Sequence, residues 1–210
     1  MRKIKALIML HGLLSSKTAF DYYKSQLNPY YDYIACYDLP GHGENKMKFT
    51  TDNIKSFIVE LYDKISKRYK EIDVLGYSMG GVIACYLQSV RRVEKLILLA
   101  PAYRYLNLSN FHFTSHPNTR QNQILPKKNY LNVIRFTKII SDLSDEFKII
   151  YPETLIIWGK DDFLVKEESG RLLYQMTKHR NKQFLILDNH NHFNIVLSNV
   201  VLNEIRHFIL

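Results

Sequence analysis

Cysteine is scarce in this chain: Cys36 and Cys85 are the two in 210 residues. They lie far apart, each within an apolar pattern. Both therefore read as small buried residues, not as a disulfide framework or a cysteine-built metal site. Long hydrophobic runs are missing too, and none approaches the roughly 20 residues of a transmembrane helix. After the basic start Met1-Arg2-Lys3-Ile4-Lys5, the apolar run Ala6 to Leu10 is too short for a signal-peptide core. A cytoplasmic protein without stable membrane insertion is expected. The sequence has no Gly-x-Gly-x-x-Gly loop, so no nucleotide cofactor is indicated. His112, His116, His179 and His207 have no metal-like spacing and no carboxylate partner, so neither a metal nor any other cofactor is expected. Internal repeats and low-complexity tracts are absent as well.

Positive charge is in excess but not concentrated. There are 29 basic and 20 acidic residues, a formal charge of +9. The stretch 103–150 is the most basic per residue, yet no dense Lys/Arg stripe appears, so a solvated basic surface is expected and nucleic-acid binding is not. The length suits one domain with an insertion.

What is present is a rhythm. Short apolar strands are expected at Ile4–Leu10, Tyr33–Tyr37, Ile72–Tyr77, Lys95–Ala100, Thr154–Trp158 and Gln183–Leu187. Helical spacing separates them: Ser15–Leu27, a long helix capped by Thr51 or Asp52 and running to about Tyr69, a helix from Met79 through Leu87, Lys166–Thr177, and a last one from Ile195 to about Phe208. Near-continuous apolar strands alternating with helices mean a parallel sheet covered on both faces. The rhythm breaks over 103–150, a stretch rich in Asn, Ser and aromatics such as Tyr103, Tyr105, Phe111, Phe113, Tyr130 and Phe136, where only Leu131–Leu143 reads as a helix. In open parallel sheets, sites lie beyond the carboxyl ends of the strands. An insertion leaving at Pro101 should hang over such a site and is a candidate lid.

The chain is organised around Ile72-Asp73-Val74-Leu75-Gly76-Tyr77-Ser78-Met79-Gly80-Gly81. Strand, Gly-x-Ser-x-Gly, helix is the context of a nucleophile elbow. A serine on so sharp a turn has its hydroxyl pushed out of the sheet edge. Strand and helix nearly touch there, so the flanking residues Gly76 and Gly80 must be small, and Gly81 and Ala84 keep the helix close. Met79 would present its N–H at a helix N-terminus, where donors are unpaired and an anion is favoured. A serine hydroxyl needs a base, and the base needs a carboxylate to fix its tautomer. Two later strand ends supply candidates: Asp161 and Asp162 in Gly159-Lys160-Asp161-Asp162-Phe163-Leu164-Val165, and His190 and His192 in Asp188-Asn189-His190-Asn191-His192-Phe193.

The order Ser, Asp, His along the chain resembles that of the α/β-hydrolase fold family, and the likeness covers nearly the whole chain except the insertion. His11-Gly12-Leu13 resembles the family's oxyanion loop, Asp38-Leu39-Pro40-Gly41-His42-Gly43 its Asp-x-x-Gly-His-Gly loop, and Gly159 to Val165 its Gly-x-x-Asp-x-x-Val loop. The resemblance implies an α/β-hydrolase core at 1–102 and 151–210, a mostly parallel sheet of about six strands with helices on both faces, and a lid at 103–150. It implies Ser78 as nucleophile, Asp162 as acid with Asp161 as rival, His192 as base with His190 as rival, and the N–H groups of Leu13 and Met79 as the oxyanion hole. Asn191 departs from the glycine that more often precedes the family's histidine, and no two-strand hairpin precedes Ile4. His11, His42 and Asp38 are expected to hold loops, and Lys160 to be solvated.

The implied activity is that of a small carboxylesterase or lipase acting on an acyl ester, with a thioester as the nearest alternative. Asp-Leu-Pro-Gly-His-Gly with Gly-Tyr-Ser-Met-Gly-Gly also resembles the menaquinone-pathway lyase that eliminates pyruvate. That family usually has an arginine after the Gly-Gly, where Val82 stands here. A non-catalytic ligand receptor on the same fold is a further alternative, separated from the others by turnover. The expected partner is a small molecule; the composition reveals no oligomeric interface.

Overall fold

The computed structural model describes residues 4–104, 106–107 and 127–210, with side chains in the last stretch described from residue 133 onward. Tyr105, Phe111, His112, Phe113, His116 and the side chain of Tyr130 lie outside the described residues.

Six parallel strands form one sheet: β1 (Lys5–Leu10), β2 (Tyr33–Cys36), β3 (Glu71–Tyr77), β4 (Lys95–Leu99), β5 (Glu153–Gly159) and β6 (Lys182–Leu187). Their order across the sheet is β2-β1-β3-β4-β5-β6. The chain therefore winds one way from β1 and the other way from β3, and the loops leaving these two neighbours flank the switch point where α/β sheets place their ligands.

Successive side chains of a strand point to opposite faces, and the two cores divide accordingly. Ala6, Ile8 and Leu10 of β1, Val74 of β3, Leu96 and Leu98 of β4 and Ile156 and Trp158 of β5 face one core. Leu7, Met9, Leu75, Tyr77, Ile97, Leu99, Leu155 and Ile157 face the other. The first core is covered by α2 (Thr51–Ser66), α3 (Met79–Val90), α4 (Lys127–Asp145) and α5 (Glu168–Met176). The second is covered by α1 (Asp21–Leu27) and α6 (Asn199–Ile209). The edge strand β6 has only half-buried and exposed positions, having a neighbour on one side only.

Several boundaries differ from the periodicity. Thr50, rather than Thr51 or Asp52, caps α2: its hydroxyl accepts the Asn53 N–H at 3.3 Å, a contact worth about 1 kcal/mol. Thr51 is instead committed to Asp142 of α4, donating at 2.6 Å. The first helical stretch divides at Phe20, a 3-10 turn at Lys17–Phe20 preceding α1. The last helix starts at Asn199, because Asn194–Leu197 form a 3-10 turn and Ser198 leaves helical geometry to act as cap. Cys36 is only half-buried, since β2 is an edge strand; its thiol donates to the Lys17 carbonyl at 3.1 Å and is pushed up to about 12 by burial. Cys85 is buried within α3. Inside the stretch where the rhythm broke, α4 is longer than its periodicity indicated. It buries Phe136, Ile139, Ile140 and Leu143 in the first core.

The tightest packing lies where β3 meets α3. A Cβ on Gly80 would collide with the Leu10 carbonyl oxygen, and one on Gly76 with the Gly80 backbone. Neither partner is a flexible side chain that can swing away. Gly80→Ala is expected to lower unfolding stability by about 3 kcal/mol, the upper end for overpacking, measurable as a shift of the urea midpoint. An unchanged midpoint would mean that α3 can lift from the sheet freely.

Candidate active site

Strained backbone concentrates at one end of the sheet. Among the described residues, Leu14, Ser78, Ala100 and Asn189 are the non-glycine residues with positive φ. Each follows the carboxyl end of a strand: β1, β3, β4 and β6 respectively. Such conformations cost free energy and persist where the surroundings over-determine them. At Ser78, with φ 54° and ψ −116°, the surroundings are explicit. Its N–H donates to the Leu99 carbonyl at 2.9 Å, and its carbonyl accepts from Gly81 and Ala102, each at 3.0 Å. The turn is clamped between β4 and the segment leaving it.

The side chain of Ser78 then meets a line of polar groups. Its hydroxyl and His192 Nε2 are 2.9 Å apart, and His192 Nδ1 and Asp162 Oδ2 are 2.7 Å apart. A carboxylate only accepts, so Nδ1 carries the proton and Nε2 is left to accept from the serine. Asp162 Oδ1 accepts two further N–H groups, from Leu164 and Val165, each at 2.9 Å. The Asp162 side chain is fully shielded from solvent, so its charge is balanced by three donors.

The rivals point elsewhere. Asp161 is exposed, and its contribution is a backbone N–H donated to the His190 carbonyl at 2.9 Å. His190 Nδ1 lies 2.8 Å from the Asp188 carbonyl and Nε2 2.7 Å from Ser198 Oγ, which fastens the loop to the start of α6. The acid and histidine loops are thus bound backbone to backbone. Gly159 makes this approach sterically open, since a Cβ there would strike the His190 carbonyl.

Asn191, where a glycine was the commoner pattern, organises the turn after His192. Its side-chain oxygen accepts the N–H of Phe193 at 2.9 Å and of Asn194 at 3.1 Å. Asn194 returns the contact, accepting the Asn191 N–H at 2.7 Å. A residue the sequence reading passed over also bears on this loop: buried Tyr77 donates its hydroxyl to the His192 carbonyl at 2.8 Å. Its place directly before the serine, at the end of a buried strand, was the available signal.

Met79 directly follows Ser78, and the loop that carries Leu13 reaches the serine through Gly12. Met79 is the first residue of α3, where N–H groups have no intrahelical partner. Gly12 lies close to the serine, a Cβ there falling 3.3 Å from Ser78 Cβ. The loop carrying Leu13 is fixed by His11, which is fully buried. His11 Nδ1–H donates to the Gly12 carbonyl at 2.8 Å, and Nε2 accepts the Leu39 N–H at 3.0 Å. Its neighbour His42 donates from Nδ1 to the Pro40 carbonyl at 3.1 Å and packs edge-on against His11 and Phe49. Asp38 accepts the N–H groups of Lys17 at 2.7 Å and Glu44 at 3.0 Å. Burial opposes its charge, but these two donors hold the carboxyl below its usual range. All three residues tie loops together. Lys160, expected to be solvated, pairs on the surface with Asp188 at 2.7 Å.

Burial pushes His11 down to about 4, because its cation would have neither water nor an acceptor for the Nε2 proton. The folded value lies below the unfolded one. The stability from neutral His11 is therefore complete above pH 6.5 and is lost as pH falls toward 4. The loss is about 3 kcal/mol over that window. Urea unfolding of wild type and His11→Gln at pH 7 and pH 4.5 checks this: the variant should lose less on acidification. An equal loss in both would remove His11 from the account.

Known proteins resemble this chain in sequence and in fold. A Mycoplasma pneumoniae protein whose name assigns it to the esterases/lipases is 27% identical over 72% of this chain and 60% of its own length. The chain thus spans three-fifths of that relative. The uncharacterized Bacillus subtilis hydrolase YugF is 25% identical over 81% of this chain and 77% of its own. Among solved structures, one from work on the metagenome-derived lipolytic enzymes LipS and LipT superposes with a TM-score of 0.79 at 18% identity, covering 99% of this chain and 94% of that one. The family model described as alpha/beta hydrolase fold matches residues 5–139, from β1 through most of α4. With strand order, elbow and sequence match in agreement, the chain belongs to the alpha/beta hydrolase fold family.

Proposed function

We propose that this protein hydrolyses carboxylic esters through an acyl-enzyme on Ser78. The observation that carries the reading is the continuous line from the Ser78 hydroxyl through His192 to Asp162, with links of 2.9 and 2.7 Å. As the serine oxygen attacks the acyl carbonyl, His192 Nε2 takes its proton, and Asp162 offsets the charge of the imidazolium. The N–H groups of Leu13 and Met79 are assigned to the developing oxyanion, a role worth roughly 3 kcal/mol of barrier per donor. His192 returns the proton to the departing alkoxide, and the acyl group stays on Ser78. Water, losing a proton to His192, then releases the acid and restores the serine.

A thioester would follow the same steps with a thiolate leaving. The lyase alternative needs a cation after Gly81, and Val82 is instead fully buried in the first core. We assign 1–102 and 151–210 to the hydrolase core and 103–150 to a cap that leaves the sheet at Pro101, beside the clamp on Ser78. Its helix α4 is moored to α2 through the Thr51–Asp142 hydrogen bond and the Lys55–Glu146 ion pair. Among the described residues no helix is long and apolar enough to cross a membrane. A small-molecule ester reached from the aqueous side fits this reading.

The test is intact mass after treatment with a fluorophosphonate, on wild type and Ser78→Ala, with short- to long-chain acyl esters and thioesters run in parallel. One adduct on wild type, none on the variant, and ester turnover are expected. An adduct without turnover would favour the receptor or the lyase, and no adduct would mean that Ser78 is not activated.

A further inference from the structure

The geometry points to Tyr77 as a positioning residue, one that holds the His192 loop and the Leu13 loop in register on either side of Ser78. The inference rests on the hydrolase reading above and adds a residue to it. Tyr77 ends β3 and faces the second core, opposite α3. Its hydroxyl donates to the His192 main-chain carbonyl, not to a side chain, so it fixes the backbone from which the imidazole hangs. The two rings lie 5.3 Å apart between centroids. The same phenol ring forms the floor under the first loop: a Cβ on Gly12 would sit 3.1 Å from Tyr77 Cε1. One side chain therefore touches the segments bearing the proposed base and one proposed oxyanion donor, and it is covalently next to the proposed nucleophile.

The His192 loop is held upstream through His190, which binds the Asp161 N–H and Ser198, and downstream through buried Ile195, so the contact of Tyr77 falls on the stretch between these ties. Phe193 and Asn194, which follow the histidine, are exposed, and the Asn191 and Asn194 contacts fix the turn only to itself. Tyr77 ties it to the rigid sheet. Burial raises the phenol well above its usual range, and the nearby Asp162 charge adds to this. The group thus stays a protonated donor throughout the pH range in which an imidazole base works. Loss of the hydroxyl would leave the His192 carbonyl buried without its donor and free this stretch to drift. Misplacement of a reacting group by about 1 Å costs on the order of a hundredfold in rate.

Tyr77→Phe keeps the ring against Gly12 and removes only the hydroxyl. Its kcat on an activated ester should fall by roughly tenfold or more, with KM within about twofold, since a misplaced base harms the chemical step and not ground-state binding. The rate of Ser78 phosphonylation should fall in parallel, a readout that needs no knowledge of the natural substrate. Tyr62→Phe is the matched control: that hydroxyl also donates to a main-chain carbonyl, of Arg92, at the opposite end of the sheet. It should lower the melting temperature comparably while leaving kcat and phosphonylation unchanged.

Wild-type kcat and phosphonylation in Tyr77→Phe would overturn the inference, as would an equal kinetic loss in Tyr62→Phe, which would reduce the effect to general destabilisation. If wild type itself neither turns over esters nor forms the adduct, the hydrolase reading fails first, and the assignment of Tyr77 falls with it.

Discussion

Ser78→Ala is expected to lower kcat for ester hydrolysis by roughly a millionfold, the loss seen when the nucleophile of such a unit is removed. The magnitude follows from the shared task. Without the hydroxyl, His192 has no proton to take and Asp162 no charge to offset, so their contributions vanish together. A residual acceleration over water should survive, since the N–H groups assigned to the oxyanion remain. The substitution is also clean structurally. Alanine keeps the Cβ, so the cost of the positive φ at this position is the same in both proteins. The clamp on Ser78 uses main-chain atoms shared with Leu99, Gly81 and Ala102. Thermal unfolding should therefore be nearly unchanged, and a steady-state assay on an activated ester would read the loss. Retention of more than about a hundredth of wild-type activity would move the chemistry away from Ser78.

Asp162→Asn should cost roughly ten-thousand-fold in kcat while leaving the fold intact. An asparagine can still accept the Leu164 and Val165 N–H groups through its one oxygen. Its NH2 then faces His192 Nδ1 and donates where the carboxylate accepted. Nδ1 must lose its proton, Nε2 must carry it, and the ring can no longer accept from Ser78. The binding of a neutral ester should change little, so the loss should appear in kcat and not in KM. The exposed neighbour supplies the contrast: Asp161→Asn keeps its backbone link to His190 and should retain wild-type turnover. If the two variants exchanged these effects, the acid would be Asp161.

The fold was legible because parallel strands buried on both faces leave near-continuous apolar runs, and these need no tertiary knowledge to find. The six strands followed from such runs, and most helices from the helical spacing between them. The ends of elements were less legible, because side-chain partners far away in sequence decide them. Thr51 looks like a cap until Asp142 of α4 engages its hydroxyl, and Ile195 looks helical until Ser198 takes the cap. The candidate residues were visible through their position after strands and their order along the chain. The choice between adjacent carboxylates was not, because consecutive residues in a tight loop point in different directions and only three dimensions tell which one meets the imidazole. Tyr77 was hidden for a related reason. Its apolar ring marks it as core, and its hydroxyl finds a partner 115 positions later.

The elbow at Ser78 also bears on how this chain folds. Its backbone is imposed by β4 through Leu99 and Ala102, its close approach to α3 presses Gly80 on the Leu10 carbonyl of β1, and its hydroxyl waits for a histidine 114 residues downstream. None of these contacts is local, so a partly folded chain can contain the serine without containing its reactivity. Nucleophilicity here belongs to the completed tertiary structure, and the rate at which it returns after dilution from urea would report the final assembly of the sheet, whereas the return of helical signal would report the earlier steps.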